Sequence, residues 1–221
     1  MSALKNRPIL IVTHTAIAQD LSSLDAFKGY MTLALDGAAD QLRQYGHIPD
    51  VIIGDLDSIR DVSYWQKKTT LIPDLDPNLT DLQKALVYCI GQRCLSISIL
   101  TDLSDRLDHS FSQICNLKRF YHSSIPIYLT NGIQTMQFVK SATFSYQGEL
   151  GSNCGFFGFP QALLSTQGLY YDVKEYHLTM GEIESTSNSL KEPEAIIRIQ
   201  GEALLTYASS IEVTRVELLS H

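Results

Sequence analysis

Two aspartates separated by a single leucine, Asp55-Leu56-Asp57, follow the apolar run Val51-Ile52-Ile53 and one glycine, Gly54. In a continued strand the two carboxylates would share a face, and Gly54 also permits a sharp turn just before them. Either geometry converges the pair at a strand's carboxyl end, where open α/β sheets bind their ligands. Hard oxygen donors gathered at such a rim suit Mg²⁺, and Mg²⁺ suits a nucleotide phosphate chain. More carboxylates recur at comparable places. Asp36 ends the run Met31–Leu35, Asp81 opens a helical pattern, and Asp102, Asp105 and Asp108 follow Ile97–Leu100. Packed together they repel, and a divalent cation resolves the conflict with the least protonation. Arg106 lies among the last three, with a planar fork suited to phosphate.

The positioning elements are legible on either side of these residues. Ile9–Val12, Met31–Leu35, Val51–Ile53, Ile97–Leu100 and Ile125–Leu129 read as buried strands. A helix through Ala38, Ala39, Leu42 and Tyr45 is expected to stop at Gly46. Thr80-Asp81-Leu82-Gln83 has the form of a capping box, followed by a helix burying Leu82, Ala85, Leu86 and Cys89. A further helix carries Leu107, Phe111, Ile114 and Leu117 on one face. Strands alternating with helices predict a mostly parallel sheet. Past Asn131-Gly132 the helical periodicity fades. Thr135–Val139, Cys154–Phe159, Gly168–Val173, Ala195–Gln200, Ala203–Tyr207 and Ile211–Leu218 read as strands of an antiparallel sandwich or barrel. The expectation is an α/β domain over 1–131, with a mostly parallel sheet, and an all-β sandwich domain over 132–221.

Bulk properties bound the function. The chain has 221 residues, 44% hydrophobic and 19% charged, an ordinary globular mix. A formal charge of -7 argues against general affinity for nucleic acid or an anionic membrane. The four cysteines, Cys89, Cys94, Cys115 and Cys154, form no Cys-x-x-Cys pair and read as reduced thiols. The N-terminus lacks a signal-peptide profile, and Ile9–Val12 is too short to span a bilayer, so a cytoplasmic location is expected.

Taken in order, Asp36-Gly37-Ala38-Ala39, Pro49-Asp50 with Gly54-Asp55-Leu56-Asp57-Ser58, Asp76-x-x-x-Thr80-Asp81 and Arg106-Leu107-Asp108-His109 resemble the thiamin pyrophosphokinase family. Gly168-Leu169 followed by Ser185-Thr186-Ser187-Asn188 extends the resemblance over nearly the whole chain. It implies transfer of a diphosphate from ATP to the hydroxyl of thiamin, releasing AMP. It further implies a homodimer with active sites between subunits. By motif position, Asp55, Asp57 and Asp81 are expected to hold Mg²⁺. Asp36, Thr80, Arg106 and Asp108 are expected to line the nucleotide and transfer site, and Tyr171, Ser185, Ser187 and Asn188 the thiamin pocket. Asp36 and Asp108 both stand as the group that orients or deprotonates the alcohol. The sequence departs from the family at three places. Ser104-Asp105 replace a Gly-Gly pair, Pro77 replaces a glutamine, and Tyr171 replaces a tryptophan. Two rival readings keep the core motif: a diphosphokinase for another alcohol such as a hydroxymethylpterin, and a nucleotide- or thiamin-binding homologue without turnover.

Overall fold

The computed structural model describes residues 4–17, 21–104 and 106–216. The chain divides into two compact units, one ending at Asn131 and the other beginning at Gly132.

The first unit is built on six parallel strands: β1 (Pro8–Val12), β2 (Met31–Leu35), β3 (Val51–Gly54), β4 (Thr70–Pro73), β5 (Ser96–Leu100) and β6 (Ile127–Thr130). Their order is β6-β5-β1-β2-β3-β4. The chain steps outward from β1 to β4, then returns to lay β5 on the other side of β1. The reversal between β1 and β5 opens a crevice at the carboxyl ends, the place where such sheets bind ligands. Nearly continuous apolar strands fit a sheet covered on both faces: Ile9, Ile11, Val12, Ile52, Ile97 and Ile99 are all fully buried.

The helices are α1 (Ala38–Gln44), α2 (Val62–Gln66), α3 (Asp81–Gly91) and α4 (Leu107–Arg119). The expected capping box at α3 is complete: Thr80 Oγ1 accepts from the Gln83 N–H and the Gln83 side chain accepts from the Thr80 N–H. Such a cap contributes about 1 kcal/mol. Leu82, Ala85, Leu86 and Cys89 are buried as expected. Two readings are corrected. α1 stops before Gly46 as expected, but Tyr45 is its C-cap, one residue past the helix, and is exposed rather than on the buried face. On α4, Leu107 is 82% and Phe111 57% exposed, while Ser110, Asn116 and Leu117 are buried. A polar contact links α4 to α3: Gln83 Nε2 donates to Asn116 Oδ1 at 3.1 Å, in a buried setting. The short elements α2 and β4 escape periodicity analysis, yet Trp65 of α2 is fully buried beside Leu42 and Ile52. Among the described residues, no helix is long and apolar enough to cross a membrane.

The second unit is antiparallel. Three long strands, β7 (Gln134–Gln147), β8 (Asn153–Gln167) and β11 (Glu194–Ala208), pair in the order β8-β11-β7. The shorter β9 (Tyr176–Thr179) and β10 (Glu184–Ser189) pair with β8, and β12 (Glu212–Val216) pairs with β7. The register of β11 shifts between Ile199 and Glu202, so Ala195–Gln200 and Ala203–Tyr207 are halves of one bulged strand. Both halves feed a single core, in which Tyr146 packs on Tyr207 with ring centroids 5.5 Å apart. Gly168–Val173 is not a strand. Asp172 draws the segment into a turn, accepting from the Gly168 and Leu169 N–H groups and from Thr166 Oγ1.

Candidate functional site

The carboxyl ends of β1, β2, β3 and β5 each deliver polar residues to one rim. After β2 comes Asp36, held at φ 42, a left-handed conformation uncommon outside glycine. Its N–H donates to the Ile53 carbonyl, which ties it to β3. After β3 comes Gly54 at φ 152. A Cβ there would lie 3.0 Å from Asp36 Cβ and 3.3 Å from Asp81 Cγ. Only glycine lets these carboxylates close on the strand end.

Oxygen atoms of Asp36, Asp55 and Asp57 come within 4.8 Å of one another. Asp36 is buried, and Asp55 and Asp57 are exposed. One Asp36 oxygen, Oδ2, accepts from the Ser58 N–H at 3.3 Å; the other, Oδ1, is buried without a partner. Burial pushes the Asp36 carboxyl above its ordinary range, Ser58 pulls it back, and the negative charges of Asp55 and Asp81 raise it further. A buried, unpartnered carboxylate oxygen beside two other carboxylates fits a hard divalent cation.

The loop carrying Asp55 and Asp57 is pinned at several points. Asp55 Oδ1 accepts from the Asp57 N–H, and Ser58 Oγ donates to Asp57 Oδ1 at 2.9 Å. Further along, Asp40 of α1 clamps the loop to two helices: Oδ2 accepts from the Arg60 N–H at 2.7 Å and Oδ1 accepts from Trp65 Nε1 at 2.9 Å.

Asp81 lies at the start of α3 and bonds Lys84 Nζ at 3.0 Å. Lys84 is only 5% exposed. Burial works against its charge, but the bond to Asp81 and the attraction of Asp81, Asp74 and Asp55 win, leaving its ammonium above the ordinary range. A cavity of about 590 Å³ runs along this rim, lined by Asp36, Asp55, Thr80, Asp81, Lys84 and His109 among others. Thr13 and Thr15 line its far side, where Thr13 Oγ1 donates to Thr101 Oγ1 across β1 and β5. Arg106 and Asp108 stand at the start of α4. They bond each other through two contacts, at 3.2 and 2.6 Å, and both are exposed. Arg106 holds the Asp108 carboxyl below its ordinary range. Asp105 lies outside the described residues.

Sequence reasoning missed Asp40, Lys84, Thr13 and Thr15. Lys84 had a legible signal, since it stands three residues after Asp81 on the same helical face. Asp40 had none, because its partners come 20 and 25 residues later.

In the second unit Asn188 is 2% exposed and its side chain is fully engaged: Oδ1 accepts from the Tyr171 and Ser189 N–H groups and Nδ2 donates to the Tyr171 carbonyl. Tyr171 is 71% exposed, a free aromatic face rather than a core residue. The register of β10 shifts between Ser185 and Asn188, and Ser187 sits there at φ 59. Ser187 lines a small cleft with Gln134, Asn153 and Thr206.

Comparison with known proteins gives the same picture in both units. The family model described as thiamin pyrophosphokinase, catalytic domain, matches residues 28–129. That described as thiamin pyrophosphokinase, vitamin B1 binding domain, matches residues 142–204. Thiamine pyrophosphokinase 1 of Arabidopsis thaliana is 31% identical over 187 residues, covering 78% of this chain and 69% of the relative. Thiamin pyrophosphokinase 1 of Caenorhabditis elegans is 27% identical over 186 residues, covering 77% and 76%. The fold resembles the solved thiamine pyrophosphokinase of Bacillus subtilis, with a TM-score of 0.78 at 21% identity over 91% of this chain and 99% of that one. It resembles the Candida albicans structure equally, with a TM-score of 0.78 at 20% identity over 92% and 89%. With both family models matched in chain order, this chain belongs to the thiamin pyrophosphokinase family.

Proposed function

We infer that this chain is a thiamin pyrophosphokinase, transferring a diphosphate from ATP to the hydroxyl of thiamin. The observation that carries the reading is the vitamin B1 binding match in a chain whose first unit gathers Asp36, Asp55 and Asp57 within 4.8 Å. The B1 binding match also favours thiamin over a pterin alcohol as acceptor.

In this reading the acceptor oxygen attacks the β-phosphorus, the bond from that phosphorus to the AMP oxygen breaks, and AMP departs. Asp36, Asp55 and Asp57, with Asp81 beside them, would hold Mg²⁺, which would supply charge neutralisation on the phosphoryl oxygens. Lys84, pinned by Asp81 at the cavity wall, adds a fixed positive charge toward the phosphate chain. Arg106, aligned by Asp108, adds a planar cation toward the same chain. The proton of the alcohol passes to Asp108, or to Asp36 through the oxygen that does not face the ion. Thr80 caps α3 and faces the nucleotide. Thiamin is cationic, and Tyr171 offers it an aromatic face, with Ser185 and Ser187 nearby and Asn188 holding the turn. The homodimer with shared active sites and the cytoplasmic location belong to the same reading. The exposed Tyr170, Tyr171 and Tyr176 support a covered surface on the second unit, and the free thiols support a reducing compartment.

The test is incubation with ATP, Mg²⁺ and thiamin, following AMP and thiamin diphosphate together. Formation of both in equal amounts is expected. AMP formed only with a hydroxymethylpterin, or tight binding with no AMP, would overturn the assignment. Light scattering tests the dimer.

A further inference from the structure

We propose that Asn116 and Gln113 read the purine base of the nucleotide, selecting adenine by its amine and the ring nitrogen beside it. The proposal rests on ATP as the diphosphate donor. His109, Ser112, Gln113 and Asn116 of α4 all line the cavity of the carboxylate rim. They are spaced three and four apart and so form one helical face. The carboxylates that gather for a cation stand at the ends of β2 and β3. The α4 wall offers neutral amides instead, the groups that recognise a base edge. Leu75, Pro77 and Leu79 line the same cavity and supply apolar contact for the faces of a ring.

The donor on this wall is set by a relay that starts in the backbone. The Thr80 N–H can only donate, so Gln83 turns Oε1 toward it, at 3.2 Å. That leaves Gln83 Nε2 to donate to Asn116 Oδ1 at 3.1 Å. Asn116 therefore keeps its oxygen on Gln83 and presents Nδ2, a donor, away from it. Asn116 is 3% and Gln83 7% exposed, so neither amide turns over without breaking a buried hydrogen bond. One turn earlier, Gln113 Oε1 is buried without a partner among the described residues. A bare buried acceptor is costly, and its place on the cavity wall offers it a ligand. Adenine supplies both complements: its amine donates to Gln113 Oε1 and the adjacent ring nitrogen accepts from Asn116 Nδ2. Inosine and guanine carry a carbonyl where adenine has the amine, which sets acceptor against acceptor. The aminopyrimidine ring of thiamin has the same edge as adenine, but the vitamin B1 binding match lies over residues 142–204, in the second unit.

Calorimetric titration of the chain in Mg²⁺ with AMP and with IMP reads the base without turnover. AMP is expected to bind about tenfold tighter or more. Gln113→Leu keeps the bulk of the side chain without its acceptor and should remove most of this preference. Gln83 does not line the cavity, yet Gln83→Glu should act through Asn116. Glutamate still serves the capping box, but it offers Asn116 an oxygen, so Asn116 turns Nδ2 toward it and shows Oδ1 to the base. In this variant KM for ATP should rise about tenfold, with kcat and KM for thiamin unchanged, and the preference for AMP should shrink. A loss of stability alone would not move the ratio of AMP to IMP affinity. No preference for AMP in wild type, or an unchanged ratio in both variants, would overturn the proposal. Weakened thiamin binding with AMP binding intact in Gln113→Leu would give the pair to the acceptor and also overturn it. Absence of turnover with ATP and thiamin would overturn the kinase reading, while the titrations still decide the base preference.

Discussion

Asn188 and Tyr171 hold each other through the backbone of one and the amide of the other: Tyr171 N–H donates to Oδ1 at 3.2 Å and Nδ2 donates to the Tyr171 carbonyl at 2.9 Å. The two residues are 17 apart in sequence. The clasp sets where the exposed Tyr171 ring stands. Asn188→Asp keeps the acceptor but replaces the donor with a charge facing a carbonyl, leaving a buried group unsatisfied at a cost of about 1–3 kcal/mol. Its KM for thiamin is expected to rise roughly tenfold, the equivalent of about 1.4 kcal/mol, with KM for ATP unchanged. Tyr171→Ala should do the same without the loss of stability. Equal losses toward both substrates would remove Tyr171 from the thiamin site.

Asp57→Asn keeps the size of the side chain and removes one charge from the carboxylate group. Loss of an electrostatic stabiliser of this kind costs about 10²–10³-fold in turnover. The same loss is expected here, with an unchanged circular dichroism spectrum. Near-normal turnover would exclude Asp57 from the metal site.

The Asp36 carboxyl sits above its ordinary value of 3.8, with burial the largest cause. The folded chain therefore keeps this proton at a pH where the unfolded chain has released it. Its contribution to stability is favourable at low pH and declines as pH rises from the ordinary carboxylate range through the raised native value. Urea midpoints in EDTA should show this decline. Asp36→Asn should flatten it, and Mg²⁺ should restore stability on the high-pH side. A midpoint insensitive to Mg²⁺ at pH 7 would count against a cation at Asp36.

Asp40 touches neither substrate nor metal in this scheme, yet it fixes the loop bearing Asp55 and Asp57. Asp40→Ala should raise the Mg²⁺ concentration giving half-maximal turnover several-fold and shrink the Mg²⁺-induced rise in Tm. Asp40→Asn retains one acceptor and should recover part of both. Unaltered Mg²⁺ dependence in Asp40→Ala would show the clamp to be structural alone.

What the sequence made readable was local. The capping box at Thr80–Gln83, the glycine that turns the chain just before Asp55 and Asp57, and the strands of the first unit are all written within a few neighbouring residues. What escaped depends on partners far along the chain. The Leu107–Phe111 stripe has helical spacing, but α4 meets α3 through Asn116 and Gln83, which periodicity does not weigh. Gly168–Val173 has strand composition, but Asp172 takes the Gly168 and Leu169 N–H groups and the distant Asn188 takes that of Tyr171. The two apolar halves of β11 look separate because Gly201 interrupts them, and only pairing with β7 and β8 shows them continuous. The motif spacing groups Asp81 with Asp55 and Asp57; Asp36 joins Asp55 and Asp57 within 4.8 Å, and Asp81 stands at the same strand end bonded to Lys84.

The central place of β11 between β7 and β8 has a consequence for biosynthesis. On the ribosome, β7 and β8 are made first and have no shared neighbour until residues 194–208 emerge. Until then each keeps the edge that will face β11 unpaired, the condition under which nascent chains associate wrongly. Late emergence of one strand makes the second unit all-or-none, and premature termination before it would yield aggregates rather than a smaller folded piece.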